Sequence, residues 1–279
     1  MTADGGRTPL ALTDAEFRGF ADFIRARYGV NLDAKKTLVE SRLAADVARK
    51  GFASYGAYLE YAMHDPTQRA LSALVGRVTT SHTYFMRESD HFAYFAETVL
   101  PWAFGHGGMR DLRVWSAGCA TGEEPYALSM VIFQMAEHRR EEGWDTVVLA
   151  SDVSEAALKT AQRGVYSEDA LASLPGGWKS RFFEPEGEGF LRVTPTLRKN
   201  VAFRKINLMD DFSFSGPMHA IFCRNVMIYF DADTKARLVE KLHGALLPGG
   251  TLFIGHSESL TALDTPFEYV QPSVYWKPL

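Results

Sequence analysis

The stretch that decides the fold is residues 112–130, LRVWSAGCATGEEPYALSM. It opens with an apolar run that predicts a short buried strand, continues through small residues at Gly118, Ala120 and Gly122, and becomes helical at Pro125. Small residues in such a turn let the backbone amides of a helix N-terminus approach a ligand, because no Cβ atoms intervene. The turn therefore predicts a site for a nucleotide-like cofactor. Taken alone, the same spacing also fits a plain tight turn between a strand and a helix.

Composition limits the class of protein. The chain has 279 residues, of which 46% are hydrophobic and 23% charged, as in ordinary globular proteins. Its net charge of −4 argues against a nucleic-acid binder dominated by phosphate contacts. Cys119 and Cys223 lack the spacing of metal ligands, so we expect buried, reduced thiols and no metal site. Without a bilayer-spanning apolar run or a signal-peptide pattern, the sequence predicts a cytoplasmic protein that is not inserted in a membrane.

The pattern divides the chain into three parts. We expect a flexible tail over residues 1–12, a helical domain over 13–90, and alternating strands and helices over 91–279. A stretch rich in proline and glycine, residues 174–200, predicts a small β-subdomain inserted in the last part. The second helix, residues 35–50, carries five basic and two acidic residues. This helix is either a solvated face or a docking surface for an acidic partner.

Polar residues follow several predicted strands of the alternating part. Asp152 follows one strand, Asn207 another, and Arg224 and Asn225 a third. In open parallel sheets, ligands bind outside the carboxyl ends of the strands, so these side chains should gather around the turn at Gly118. An acid at the end of the second strand is placed to accept hydrogen bonds from ribose hydroxyls, although a lone Asp also suits a helix cap.

Five stretches, taken together, resemble one family. They are residues 79–88 (TTSHTYFMRE), 113–126 (RVWSAGCATGEEPY), 151–156 (SDVSEA), 221–230 (IFCRNVMIYF) and 247–260 (LPGGTLFIGHSESL). Their sequences and order resemble the chemotaxis receptor methyltransferases, the CheR family. The resemblance implies a Rossmann-like, class I S-adenosylmethionine-dependent methyltransferase of α/β class, with an all-α N-terminal domain and an inserted β-subdomain. It further implies a protein-glutamate O-methyltransferase that acts on methyl-accepting chemotaxis receptors and releases S-adenosylhomocysteine.

The resemblance also assigns residues. It implies that Arg87 and Tyr229 lie at the reacting centre. The cofactor contacts it implies are Ser81, Thr83, Arg87, Gly118, Glu123, Glu124, Asp152, Asn207, Leu208, Arg224 and Asn225. Of the two acids, we prefer Glu123 for the amino group of the cofactor, because Glu124 precedes Pro125 and is a candidate helix cap.

The sequence departs from the family pattern at a few positions. Ser81 stands where the family usually has Asn, and Met86 where it usually has Phe. The loop at residues 184–189 is short, which predicts independence from a receptor's C-terminal tether peptide. Two other functions also fit the sequence: a methyltransferase of the same fold with another substrate, and a non-catalytic signalling module that binds the cofactor or a receptor.

Overall fold

The computed structural model describes residues 10–79, 82–106 and 110–279 of the chain. The described residues fall into two compact units, one before and one after the boundary between Thr80 and Ser81. The predicted tail at residues 1–12 falls mostly outside the described residues. Its last residue, Leu12, is buried, and its N–H donates to Oε1 of Glu40 over 3.0 Å.

The first unit is all-helical. Its helices are α1 (Asp14–Tyr28), α2 (Lys36–Lys50), α3 (Tyr55–Met63) and α4 (Arg69–Val78). A capping box of Thr13 and Glu16 starts α1, because each side chain accepts a hydrogen bond from the other residue's backbone N–H. On α2, Val39, Leu43 and Val47 are buried, and the basic residues lie on the rest of the surface.

The second unit contains the remaining elements. Its helices are α5 (Ser89–Tyr94), α6 (Leu100–His106), α7 (Glu123–Arg139), α8 (Glu155–Arg163), α9 (Trp178–Phe182), α10 (Pro195–Lys199) and α11 (Ala232–Ala245). A π-helical turn, Phe95–Val99, joins α5 to α6. The strands are β1 (Val114–Ala117), β2 (Val148–Asp152), β3 (Val165–Ser167), β4 (Phe183–Pro185), β5 (Phe190–Val193), β6 (Val201–Lys205), β7 (Met218–Cys223), β8 (Leu246–Ile254), β9 (Glu268–Gln271) and β10 (Val274–Trp276).

The main sheet has seven strands in the order β6-β2-β1-β7-β8-β10-β9. The first five are parallel, and β10 pairs antiparallel with both β8 and β9. The sheet reverses its order at β1, which places the turn after β1 at a topological switch point. This architecture confirms the predicted Rossmann-like fold.

The second unit begins before the predicted boundary at residue 90. The cause is the packing of residues before this boundary on the second unit: the ring of Phe85 meets those of Tyr166 and Phe183 at 5.0 and 5.7 Å. The following segment, α5 and the π-helical turn, packs on the sheet. Phe92 is stacked 6.3 Å from Phe222, and Phe95 meets the edge of Phe222 at 5.3 Å and of Phe253 at 6.4 Å. These aromatic contacts bind the segment to the sheet's core. The helical pattern alone could not show which core this segment joins.

The β-subdomain starts at Val165 rather than at residue 174. Its strands pair antiparallel in the order β3-β5-β4. Strand β3 follows α8 almost directly and has only three residues, so it carries too little alternation to be read from sequence. Among the described residues, no helix is long and apolar enough to span a membrane.

Candidate active site

The turn after β1 is shaped by a close approach between two loops. Gly118 has a φ of +83°, and a Cβ atom there would lie 2.5 Å from Cγ2 of Val226. The N–H groups of Gly118 and Cys119 both donate to the carbonyl oxygen of Ser151, each over 2.8 Å. A side chain at residue 118 would therefore push apart the loops that follow β1 and β7. The glycine that predicted a ligand site is also required for this contact within the protein.

Asp152 ends β2 and fixes the same turn from the neighbouring strand. Its Oδ2 accepts from the N–H of Ala120 over 2.9 Å, and its Oδ1 accepts from the N–H of Ser154 over 2.8 Å. Burial raises the pKa of Asp152 above its ordinary value, although these backbone hydrogen bonds oppose the shift. A carboxylate has about four lone-pair sites, so both oxygens can still accept hydrogen bonds from a ligand's hydroxyl groups.

Glu123 and Glu124 are neighbours with different partners. Glu124 accepts from Oγ of Ser116 over 2.7 Å and from Nη1 of Arg224 over 3.1 Å. Glu123 accepts from Oγ1 of Thr121 over 2.7 Å. Burial raises the pKa of both carboxyl groups. Glu124 is thus part of an internal ion pair, and Glu123 is the better candidate for a cofactor's amino group.

The helix cap proposed for Glu124 is wrong. Helix α7 already begins at Glu123, its N-cap is Gly122 with a φ of +99°, and Pro125 lies within its first turn. The left-handed backbone at residue 122 starts the helix, so the side chain of Glu124 is available to Ser116 and Arg224.

Arg224 turns its guanidinium into the protein. It donates to Oε2 of Glu88 from Nε over 3.2 Å and from Nη2 over 2.9 Å, besides its bond to Glu124. Nη2 also donates to the carbonyl oxygen of Arg87. Its side chain is 2% exposed and lies over the ring of Phe92. The resemblance places Arg224 among the cofactor contacts, but its guanidinium is engaged with these protein groups.

Asn225 and Tyr229 lie in the loop after β7. The side chain of Glu258 binds backbone N–H groups of this loop. Oε2 of Glu258 accepts from the N–H of Asn225 over 2.9 Å and from that of Gly255 over 2.6 Å, and Oε1 accepts from the N–H of Ile228 over 3.0 Å. Asn225 has a φ of +58°, and Tyr229 ends a single 3₁₀ turn. One buried carboxylate therefore fixes both the loop after β7 and the end of β8.

The connector, residues 82–88, carries Arg87. Nη1 of Arg87 donates to the carbonyl oxygen of His82 over 2.6 Å, and its guanidinium lies 5.9 Å from the ring centroid of Tyr84. Thr83 is half-buried in the same segment. Arg87 is thus folded against its own connector. Ser81, the other predicted contact from this segment, lies outside the described residues.

The turn after β6 holds Asn207 and Leu208. Oδ1 of Asn207 accepts from the N–H of Met209 over 3.1 Å, and its Nδ2 donates to Oδ1 of Asp210 over 3.3 Å. Leu208 is buried. Since β6 is the parallel neighbour of β2, this turn follows the same edge of the sheet as Asp152.

The β-subdomain bonds to both the turn and the connector. Oη of Tyr166 donates to the carbonyl oxygen of Thr121 over 2.7 Å, and Oγ of Ser173 donates to that of Phe85 over 2.7 Å. The ring of Phe85 packs between those of Tyr166 and Phe183 at 5.0 and 5.7 Å. The subdomain therefore fixes two walls of the candidate site.

Sequence reasoning missed Glu88 and Glu258. Both lie within the stretches that carry the family resemblance, but their partners are far away in sequence. Glu88 meets Arg224 across 136 residues, and Glu258 meets Asn225 across 33. The only sequence signal was position: Glu88 directly follows Arg87, and Glu258 lies in the last stretch that carries the resemblance.

The donor set fits S-adenosylmethionine, the cofactor implied by the resemblance. The buried carboxylate of Glu123 suits an ammonium group, and that of Asp152 suits a ribose diol. Leu208 supplies apolar surface at the end of β6, where a base would pack.

Comparison with known proteins agrees with this fit. The model of the CheR methyltransferase SAM-binding domain matches residues 81–276, and that of the CheR methyltransferase all-alpha domain matches residues 15–79. A chemotaxis protein methyltransferase of Borreliella burgdorferi is 36% identical over 271 residues, which cover 95% of both chains. A protein of the same name from Vibrio parahaemolyticus is 33% identical, covering 97% of this chain and 99% of that one. The chemotaxis protein methyltransferase 1 of Pseudomonas aeruginosa is 35% identical, covering 95% and 97%.

The two family models together cover nearly all of the chain, in the order of its two units. The chain therefore belongs to the CheR methyltransferase family and is an S-adenosylmethionine-dependent methyltransferase.

Proposed function

We propose that this chain acts in the cytoplasm on methyl-accepting chemotaxis receptors, and that it converts glutamate side chains of their helical domains to methyl esters. The observation that carries the proposal is the group of polar side chains at the carboxyl ends of β1, β2 and β7. There the connector with Arg87 is tied to the end of β7, beside the turn that Gly118 and Asp152 build. Family membership supplies the substrate class.

The proposed cofactor contacts combine the family resemblance with the chemistry of the side chains. Glu123 takes the amino group, Asp152 takes the ribose, and Leu208 flanks the base. The other proposed contacts are Ser81, Thr83, Arg87, Gly118, Asn207 and Asn225. Glu124 and Arg224 contribute indirectly, because their ion pair joins the start of α7 to the loop after β7.

The reaction needs alignment rather than proton transfer. S-adenosylmethionine, when bound, supplies a methyl group that its sulfonium already activates. A glutamate side chain has an ordinary pKa near 4.3 and is ionised at pH 7, so the chain needs no general base. The task of the protein is to hold the carboxylate in line with the methyl group and to keep water away from it.

Arg87 is the proposed carboxylate-orienting residue. A guanidinium has five N–H donors, and the bond to His82 uses only one nitrogen. It stays charged at all ordinary pH values, so it can bind a carboxylate without removing a proton. Tyr229 is proposed to lie beside the reacting methyl group, where its ring or hydroxyl favours the positive charge.

Helix α2 is the proposed docking surface for receptors. Arg49 and Lys50 are exposed at its end, and Lys50 lies over the ring of Tyr61. Of its two acids, Asp46 is buried and bonded to Arg49 over 2.6 Å, which removes one negative charge from the solvent face. The remaining positive surface suits acidic receptor helices.

The short connection between β4 and β5 supports independence from a receptor tether. Only residues 186–189 join Pro185 to Phe190. Measurable binding of an isolated receptor C-terminal pentapeptide would contradict this part of the proposal.

The decisive experiment is methyl transfer from tritiated S-adenosylmethionine to purified receptors. Release of the label as methanol in base identifies a glutamyl ester rather than an N- or C-methyl product. Arg87→Ala should lower turnover about 100-fold or more, because the carboxylate is no longer aligned. Arg204→Ala removes an exposed arginine from β6 and should leave turnover unchanged. The proposal would be contradicted if Arg87→Ala had wild-type turnover, or if no receptor became labelled.

A further inference from the structure

We propose that Glu88 is a positioning residue for methyl transfer: it anchors the backbone of Arg87 to the end of β7 through Arg224 and Asn225. This inference rests on the role of Arg87 under the proposed function. It goes beyond that role because it assigns a task to a residue that need not touch cofactor or substrate.

The anchor is a nearly buried carboxylate with partners on both oxygens. Oε2 of Glu88 accepts two N–H groups of Arg224, over 2.9 and 3.2 Å, and Oε1 accepts from Nδ2 of Asn225 over 3.3 Å. The side chain is 11% exposed. Burial by itself would raise the pKa of Glu88, but the charge of Arg224 and the hydrogen bonds outweigh it and lower the pKa. Oε1 also lies 4.0 Å from Nε of Arg87 itself. Glu88 is therefore ionised at neutral pH.

The guanidinium of Arg224 also binds Arg87, the residue before Glu88. Nη2 of Arg224 donates to the carbonyl oxygen of Arg87 as well as to Glu88. One group thus fixes the carbonyl of Arg87 and the side chain of the next residue. These two points define the direction in which the side chain of Arg87 leaves the backbone.

The anchor extends to the centre of the sheet. Arg224 is bound on its other side by Glu124, which in turn accepts from Oγ of Ser116 on β1. The connector is therefore tied to β1, β7 and the start of α7 through one buried chain of charges. Met86 and Glu88 flank Arg87 with φ values of +59° and +55°. Such backbone persists where the surrounding contacts hold it, which is consistent with an anchored segment.

The surroundings of Glu88 admit a second interpretation, a divalent cation site. Ligand-type atoms of Glu88, His91 and His256 lie within 4.8 Å of one another. His91 is fully buried, and neither of its ring nitrogens has a hydrogen-bond partner in the described part of the chain. However, the carboxylate oxygen 3.6 Å from Nδ1 of His91 is the one that Arg224 already binds. The positive guanidinium disfavours a cation there, so the observations favour the anchor.

The test is a double-mutant cycle between Glu88→Gln and Arg87→Ala. Glutamine keeps the volume, but it loses the charge that binds Arg224. We expect kcat to fall about tenfold or more, with the Kd of S-adenosylhomocysteine changed less than about threefold. In the Arg87→Ala background, Glu88→Gln should change kcat less than about twofold, because the residue it positions is gone. If Glu88 had only a structural role, Glu88→Gln would lower kcat by the same factor in the wild type and in the Arg87→Ala variant.

Two further variants complete the experiment. Glu88→Asp keeps the charge on a shorter side chain and should recover part of the lost kcat. It replaces Glu88→Gln in the cycle if the glutamine variant does not fold. Glu97→Gln neutralises an exposed carboxylate near the same segment and should have no effect.

The outcomes separate this inference from the proposed function. Unchanged kcat in Glu88→Gln, or equal losses in both backgrounds, would overturn the anchor while Arg87 keeps its role. Activity that is lost with a chelator and restored by Zn²⁺ would also overturn it, in favour of the cation site. Wild-type turnover by Arg87→Ala would instead remove the proposed function itself.

Discussion

Two groups of charged residues in this molecule differ in their surroundings: the buried ion pairs of Arg224 and the basic face of α2. The side chain of Arg224 is 2% exposed and binds Glu88 and Glu124 at 2.9 and 3.1 Å. On α2, the side chain of Arg49 is 69% exposed and binds Asp46 at 2.6 Å. The distances are similar, but the surroundings are not. Water and salt screen the guanidinium of Arg49, although Asp46 itself is buried, and they barely reach the pairs of Arg224.

The difference shows what each group contributes. A buried guanidinium between two carboxylates fixes geometry, because removal of one partner leaves uncompensated charge in a poorly solvated place. Exposed lysines and arginines do little to fix the geometry of their neighbours. They do attract an acidic partner over distances near the Debye length. We therefore expect the Arg224 group to govern stability and the arrangement of the site, and the α2 face to govern encounter with receptors.

The largest effect should come from Arg224→Met, which leaves Glu88 and Glu124 unpaired. We expect the free energy of unfolding to fall by about 3–5 kcal/mol. All the tryptophans lie in the second unit, so fluorescence during guanidinium unfolding reports on it: Trp102, Trp115, Trp144, Trp178 and Trp276. Arg204→Met, at an exposed position, should change the free energy by less than about 0.5 kcal/mol. Equal losses in the two variants would show that burial does not determine how much an arginine contributes to the free energy of unfolding.

An intermediate effect is expected from His91, which packs beside the Arg224 group. Burial, with the charge of Arg224 adding to it, lowers the pKa of His91 from 6.5 to about 4. The unfolded chain then binds more protons than the folded one between these values, so stability falls as pH falls from 6.5 towards 4. The loss amounts to at most about 3 kcal/mol. In His91→Leu, this part of the pH dependence of unfolding should disappear, and an unchanged slope above pH 4.5 would contradict the assignment.

The smallest effect on stability is expected from the α2 face. Arg49→Gln with Lys50→Gln should change the free energy of unfolding by less than about 1 kcal/mol, because Arg77 still pairs with the buried Asp46 at 3.3 Å. Its kcat/KM for receptor should fall about twofold to tenfold at low salt, and the deficit should vanish near 0.5 M salt. The matched control, Lys159→Gln with Arg163→Gln, neutralises two exposed cations on α8. The same deficit in the control would mean that overall charge, and not α2, steers the encounter.

Much of the fold could be read from the sequence because its signals are local. Short apolar runs, which alternate with helical patterns, predicted the strands. The small residues around Gly118 predicted the turn after β1. The start of α7 was misread because Pro125 suggested a later beginning, whereas the left-handed backbone of Gly122 starts the helix earlier. The insertion was placed too late because β3 is too short to show alternation.

The site was predicted less completely, because its charged groups are paired over long separations in sequence. The position of Asp152 at the end of a predicted strand indicated a candidate binding residue, and the family resemblance indicated Glu123 and Arg87. The sequence could not show that Arg224 turns inward, that Glu124 binds Arg224, or that Glu88 and Glu258 hold the loop with Asn225.

By itself, the sequence determined the order of the elements, the family and the edge of the sheet where the candidate site residues lie, because periodicity, motifs and turn chemistry depend on near neighbours. Only the tertiary structure decided which charges are buried with which partners. That choice depends on packing, which brings Glu88 to Arg224 across 136 residues and excludes the water that would otherwise weaken their attraction.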